Sequence, residues 1–505
     1  MTEVLETRTA PADGERPPFA FAGVGAIVAV AAVALFASLG RYGWFGDELY
    51  FVSAGRRLAW GYADQGPLVP AIARAMDLLA PGSMVAQRIP AVLATLAAIV
   101  LSAQIAREFG GSRGAQVLTA AAYATSPFLL VQGTQLATNT IDTALWVLIS
   151  WLVLRWVRTR QDALLLAAAL VTALDMQVKW LIPFFWVAVA IGVLAFGPRE
   201  LLRRKALWLG GALVLAVSVP MLLWQAAHGW PQLEMGATVA AEQETIGGRY
   251  SWIPLAVASA GLFGGVLLIA GIWALLRWDP LRRFRFLGLV PLVLVLIFVG
   301  TNGRPYYAAG CYAALMAAGA VWWTRDAARR RRIGALVLVA LSAAIVLWSL
   351  PWQAESAIDP VDSELEAGLA IGVYGKFGWN ELRDATATAY QRLPRAERER
   401  TVLIAHSYWQ ASALDIERDR YGLPPVYSPN RGFGYFGTPP DSATSVLWIG
   451  GDEDELRRMF AVVVPAGRAD SRLGFPGITR DVTIWHCERP VRPWSQTWPG
   501  LLRLN

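Results

Sequence analysis

Charge is scarce in this sequence. Lys, Arg, Asp and Glu make up 16% of its 505 residues, where a soluble chain of this size carries about 25%. That shortfall excludes an ordinary water-soluble protein over most of the length. Histidine and cysteine are scarcer still, at three and two residues. No His/Cys constellation with zinc-ligand spacing is present, and no Ser-His-Asp arrangement can be built. Cys311 lies inside an apolar segment and Cys487 near the C-terminus, on two sides of the expected membrane boundary, so no disulfide is expected. The first 18 residues, MTEVLETRTAPADGERPP, lack a signal-peptide pattern. Residues 1–18 read instead as a disordered cytoplasmic tail ahead of a signal anchor.

Apolar residues are abundant. They form 55% of the chain, and mean hydropathy is +0.41. Tryptophan is frequent at 23 residues, which fits aromatic belts at membrane interfaces better than a soluble core. Runs long enough to cross a bilayer recur at 19–39, 91–106, 115–131, 138–154, 163–177, 180–196, 206–223, 253–276, 286–300, 305–323 and 333–350. This predicts about eleven transmembrane helices within 19–350.

The connecting loops orient them. Arg107 and Arg113, then Arg155, Arg158 and Arg160, then Arg199, Arg203, Arg204 and Lys205 fall in alternate loops. Arg277, Arg282, Arg283 and Arg285 follow, and then Arg325 and Arg329 to Arg332. Five successive cationic loops obey the positive-inside rule with the N-terminus in the cytoplasm. The net charge of +7 is thereby spent on topology, and no nucleic-acid partner is expected. The same count puts the long first loop and the C-terminal segment outside the cytoplasm.

From Pro351 onward charges, prolines and glycines return. Residues 351–505 are enough for one soluble extracytoplasmic domain. TVLIAH (401–406), TSVLWIG (444–450) and DVTIWHC (481–487) read as strands, the first two followed by helical patterns, which predicts a compact α/β domain. Its glycine-containing turns match no phosphate-binding fingerprint. Capping a substrate and serving as a passive folding or partner domain are both open to it.

Chemistry is therefore sought on the outer face. Asp47 and Glu48, in RYGWFGDELYF, stand just past the first apolar run, and Asp64 follows in GYADQGPLVP. Acids at a membrane boundary are costly unless they face water, a metal or a substrate. Asp142 lies at the outer end of the fourth run, Lys179 at the turn between the fifth and sixth, and Arg249 in the loop after the seventh with His228, Glu234, Glu242 and Glu244. TNGRPYYAAG supplies Asn302, Arg304, Tyr306 and Tyr307. On topology alone Lys179 and Arg304 read equally well as snorkelling interface cations, Tyr306 and Tyr307 as belt aromatics, and His228 as a helix cap. Acids and bases converging on one side suit a lipid-borne phosphate substrate. A multispanning transporter or flippase is the competing class, but no inverted repeat or pair of broken spans supports it. A non-catalytic assembly protein is a third reading.

Taken together, GDELYFVSAG, GYADQGPLVP, QRIPAVLATL, TNTIDTALW, LLWQAAHGWPQLE and NGRPYYAAG resemble the bacterial family-39-type integral membrane glycosyltransferases. These are relatives of protein O-mannosyltransferases and of the aminoarabinose transferase of lipid A. The resemblance implies a GT-C fold and transfer, with inversion, of a sugar from a polyprenyl-phosphate carrier to an extracytoplasmic protein, lipid, glycan or metabolite. It implies Asp47 as the catalytic carboxylate, with Glu48 as its neighbour and Asp64 as the acid of the second loop motif. Asp142 matches an acid near the same pocket, and Lys179, Arg249 and Tyr307 resemble contacts to the carrier phosphate, with Arg304 and Tyr306 beside them. Relatives carry Lys or His after the second acid, whereas this chain has Gln65. The resemblance also leaves open a divalent ion at Asp64, since some relatives use one and others do not.

Overall fold

The structure, a computed structural model, describes residues 16–326 and 328–505; most of the tail expected over 1–18 lies outside them. Each of the eleven apolar runs falls on helix. These are α1 (Phe21–Ser38), then after α2 (Gly46–Gly55) and α3 (Leu68–Leu79) the long α4 (Met84–Glu108), α5 (Arg113–Ala124) and α6 (Pro127–Val131). There follow α7 (Thr138–Thr159), α8 (Ala163–Met176), α9 (Ile182–Phe196), α10 (Lys205–Ala227), α11 (Pro231–Thr245) and α12 (Gly248–Arg277). The last are α13 (Arg285–Gly300), α14 (Tyr312–Trp323), preceded by a 3-10 turn at Pro305–Cys311, and α15 (Arg329–Ser349). Among the described residues seven helices are long and apolar enough to cross a membrane, and an eighth if the bent α5–α6 pair is one span. The chain is a multi-pass membrane protein. α8 and α9 are shorter apolar helices, packed side by side with longer ones.

In a bilayer every backbone polar group must find a partner within the protein, and α12 shows how a break is tolerated. Gly261 sits there at φ 78°, and a Cβ on it would lie 2.9 Å from Pro127 at the α5–α6 bend. The break severs the bond that Phe263 N–H would make to the Ser259 carbonyl. Ser342 Oγ accepts from Phe263 N at 3.0 Å, and Ser126 Oγ donates to Ser259 O at 2.8 Å. Two serines from neighbouring segments thus satisfy both halves of the lost bond. Elsewhere close helix contact depends on small residues: a Cβ on Gly271 or Gly319 would collide with the facing backbone of Leu315 or Leu267.

The cationic loops meet at one end of the helices. Glu108 pairs with Arg158 at 2.7 Å and with Arg16 at 3.3 Å, and Arg204 pairs with Asp162 at 3.8 Å. A cavity of about 1000 Å³ opens at this end between Phe21, Val117 and Arg332. Arg88 lies 20 residues before Glu108 on α4, which at 1.5 Å per residue is about 30 Å away. The outer acids gather at that other end.

Beyond α15 the chain builds a five-stranded sheet. Its strands are β1 (Thr401–Ala405), β2 (Val426–Tyr427), β3 (Ser445–Ile449), β4 (Phe460–Ala469) and β5 (Val482–Pro490). The order is β2-β1-β3-β5-β4, with β1 parallel to β2 and β3, and β5 antiparallel to β3 and β4. Helices at Tyr408–Ile416 and Glu453–Met459 follow β1 and β3, as the α/β pattern predicts; β2 and β4 carry no pattern strong enough to foresee. Cys311 and Cys487 are both free and buried.

This domain does not hang free. Phe45, Leu49, Tyr50 and Phe51 of the first loop share one core with Trp409, Leu414 and Phe433. Arg57 donates to both oxygens of Asp415 at 2.6 Å, and Trp379 Nε1 donates to the Trp44 carbonyl at 2.8 Å. Gly46 is one close approach between the two parts, since a Cβ there would lie 2.1 Å from the Trp409 ring.

Candidate active site

Asp47 and Glu48 open α2, where a helix N-terminus favours negative charge. One residue of helical rotation sends them to different environments. Glu48 is 1% exposed, and its four bonds are all internal. Arg88 donates from Nε to Oε1 at 2.9 Å and from Nη2 to Oε2 at 2.8 Å. Phe45 N and Leu136 N donate at 2.9 and 3.1 Å. Arg88 in turn donates to the Leu39 and Gly43 carbonyls at 2.7 and 2.8 Å. Glu48 is therefore a strut that ties α2, α4 and the start of α7 together, with no lone pair left for a substrate.

Asp47 is only partly buried. Its Oδ1 accepts from Tyr408 Oη at 2.7 Å and from Trp409 Nε1 at 2.8 Å. No hydrogen bond among the described residues reaches Oδ2. Burial first, and then the Asp47 charge, hold the Tyr408 phenol well above its ordinary value, so it stays a donor. Asp64 accepts from Tyr50 Oη at 2.9 Å. Its carboxyl is pushed up to about 6, chiefly by burial and further by Asp47, against the pull of Arg431 and the Tyr50 hydroxyl.

The loop carrying Asp64 is fastened to the Lys179 turn: Gly66 N and Leu68 N donate to the Val178 and Gln177 carbonyls at 3.2 and 2.9 Å. A Cβ on Gly66 would collide with the Gln177 backbone, so only glycine lets the two segments touch. Lys179 Nζ donates to Asn139 Oδ1 at 2.8 Å and lies 4.5 and 5.5 Å from the Tyr307 and Tyr306 ring centres. Asp142 lies close enough to feel Lys179, Trp146 and Asp175. Tyr306 also stacks on Phe128 at 5.0 Å. Arg304 pairs with Glu242 of α11, and Glu242 pairs also with Arg431 of the C-terminal domain.

The structure thus gathers Asp47, Asp64, Asp142, Lys179, Arg304, Tyr306 and Tyr307 at one end of the membrane helices. Arg249 does not join them. It is exposed at the start of α12 and pairs with no described residue, because the first turn of α12 faces outward; the expected meeting of Arg249 with Lys179 and Tyr307 is not met. The residues that sequence reasoning missed are Tyr408, Trp409 and Arg431. Tyr408 and Trp409 follow the C-terminal end of a parallel strand, where α/β sheets present ligand-binding groups, so a signal existed. Arg431 had none.

Asp64 does not stand in a metal-like donor set, since Tyr50 donates to it and the Arg431 guanidinium acts on it. Among the described residues the group able to hold an ion is Glu397, from the short helix before β1, with His486 and Glu488 of β5. There His486 Nε2 is already 2.8 Å from the Glu397 carboxylate.

The profile of the family described as dolichyl-phosphate-mannose-protein mannosyltransferase matches residues 64–224. Among solved structures, the chain is similar to ArnT from Cupriavidus metallidurans bound to undecaprenyl phosphate, with TM-score 0.61, 16% identity and coverage of 92% of this chain and 98% of that one. The apo form of the same protein gives TM-score 0.62 at 15% identity, with the same coverage. The arabinofuranosyltransferase AftD from Mycobacteria gives 0.51 at 16% identity, covering 93% of this chain and 41% of that one. No curated protein matches the chain. At these identities the likeness is one of fold. The chain has the GT-C fold, and the resemblance to ArnT-like and mannosyltransferase-like membrane glycosyltransferases is borne out.

Proposed function

With the GT-C fold as premise, we propose that this chain is a membrane glycosyltransferase that moves a sugar from a polyprenyl-phosphate carrier to an acceptor outside the cytoplasm, with inversion. The observation that carries the reading is Asp47: one oxygen is held by two donors from the C-terminal domain, and the other has no hydrogen-bond partner among the described residues. That is the arrangement of a positioned base. The undecaprenyl phosphate bound by the similar ArnT structure supports a lipid-phosphate donor, and the cationic loops at the opposite end support the extracytoplasmic orientation.

In the proposed step the acceptor hydroxyl oxygen attacks the anomeric carbon from the face opposite the phosphate. Its proton passes to Asp47 Oδ2 as the new C–O bond forms. The old C–O bond breaks with its electron pair going to the polyprenyl phosphate, which leaves as an anion. Lys179 and Arg304 balance its charge and the Tyr307 hydroxyl donates to it. Phosphate is a good leaving group, so positioning and charge stabilisation supply most of the rate gain. Asp64, with its carboxyl near 6, orients the sugar beside Asp47, and no step runs through a metal. The grouping of acids at one end, away from the midplane, favours this reading over a transporter.

The test is to incubate the purified full chain with polyprenyl phosphosugars extracted from its native membranes and to follow them by mass spectrometry. Release of free polyprenyl phosphate with gain of one sugar on an acceptor, lost in Asp47→Asn, is expected. Intact donor after incubation with every candidate acceptor class would overturn the reading.

A further inference from the structure

Glu242 is a side chain on this face to which the proposed step gives no task. It projects from α11, between the membrane helices α10 and α12, and its two oxygens take two arginines, Oε2 from Arg304 and Oε1 from Arg431. The arginines come from unrelated parts of the chain. Arg304 precedes the turn that carries Tyr306 and Tyr307, and Arg431 belongs to the C-terminal domain. Two guanidinium groups converging on one carboxylate present the donor geometry that a multi-oxygen anion requires. The three side chains are 20%, 23% and 32% exposed, so a ligand can reach them.

Arg431 is built into place. Its backbone sits at φ 49°, a left-handed conformation that a non-glycine residue keeps only when its surroundings impose it. A Cβ on the next residue, Gly432, would collide with Tyr50 Oη, so the loop is pressed onto the Tyr50–Asp64 pair. The guanidinium lies 5.2 Å over the Tyr408 ring, whose hydroxyl holds Asp47. Burial works against its charge, but Tyr408, Glu242, Asp47 and Asp64 outweigh burial.

Charge balance then argues for exchange. Even leaving Asp142 aside, Asp47, Asp64 and Glu242 face Lys179, Arg304 and Arg431, three of each sign. A phosphodiester entering this set adds a fourth anion, and the set is balanced again if a carboxylate leaves or takes up a proton. Glu242 is the one whose oxygens occupy the arginines, and it rides on a helix outside the membrane core.

We propose that Arg304 and Arg431 form a two-arginine clamp for the phosphate of the donor lipid, that Glu242 holds the clamp, and that donor binding exchanges the Glu242 carboxylate for the phosphate. The inference rests on the donor reading above. It makes the C-terminal domain part of the donor site.

Binding of polyprenyl phosphate and of the uncharged polyprenol of equal length to the full chain in nanodiscs tests it. Arg431→Met is expected to weaken phosphate-lipid binding by about 10- to 100-fold, the usual effect of losing a charged hydrogen bond, and to leave polyprenol binding unchanged. Glu242→Gln removes the competing anion and is expected to tighten phosphate-lipid binding, with a lower KM for donor. Discrimination between the two lipids that survives Arg431→Met, equal loss of both, or weaker phosphate binding by Glu242→Gln overturns the clamp. Wild-type protein that binds both lipids alike overturns the donor reading itself, and the clamp with it.

Discussion

Adjacent carboxylates with opposite tasks give the sharpest test of the site. Glu48 makes four internal bonds, two of them to an arginine that is itself 1% exposed. Glu48→Gln keeps one oxygen and introduces an NH2 group that must face either the Arg88 guanidinium or a backbone N–H, donor against donor. At least one buried N–H loses its acceptor, and Arg88 is left as an uncompensated buried charge. Breaking such a pair costs about 3–5 kcal/mol. At about 2 °C per kcal/mol for a large chain, that lowers the apparent unfolding temperature by roughly 6–10 °C. Asp47→Asn differs because Asn Oδ1 still accepts from Tyr408 and Trp409, so the unfolding temperature stays near wild type. Loss of the base then removes about 10²–10⁴ of the transfer rate. Thermal unfolding in detergent and a single-turnover transfer assay, run on both variants, decide the matter. Glu48→Gln as stable as wild type, or Asp47→Asn near wild-type turnover, refutes the division of labour.

The remaining predictions concern pH, docking and topology. Because the folded Asp64 carboxyl is raised to about 6, its contribution to stability is fully present below its unfolded value near 4 and is lost as pH rises through 6. The unfolding temperature of Asp64→Asn minus that of wild type should therefore grow between pH 4 and 7, and a flat difference refutes the shift. Gly46→Ala and Gly432→Ala place a methyl into Trp409 and Tyr50; limited proteolysis should show the C-terminal domain loosened from α2 and transfer strongly reduced, whereas wild-type protection would contradict the close approach. Cysteines introduced at Ser83 and at the exposed Ser442 should react with an impermeant maleimide in intact cells, over a low background because both native cysteines are buried. Labelling only after permeabilisation would reverse the orientation.

The sequence by itself determined the apolar helices of a multi-pass chain, because a span is a local property. An apolar run of bilayer length and an arginine cluster in the next loop need no knowledge of distant contacts. For the same reason β1, β3 and β5 were legible as short buried strands, Asp47 and Asp64 stood out as acids in the long first loop and Lys179 as a cation in a tight turn, whereas Tyr307 read as a belt aromatic until the family resemblance gave it a role. Tertiary structure alone decided which of two adjacent acids is free. A helix turns about 100° per residue, so Asp47 and Glu48 point to different neighbours, and Arg88 on α4 claims only the second. It also decided that Arg249 faces outward while Arg431 faces the site, and that Tyr408 and Trp409 reach Asp47 across some 360 residues of chain. Contacts at that separation leave no periodicity in the sequence. They arise only when the C-terminal domain buries its apolar surface against α2, and that docking is what completes the site.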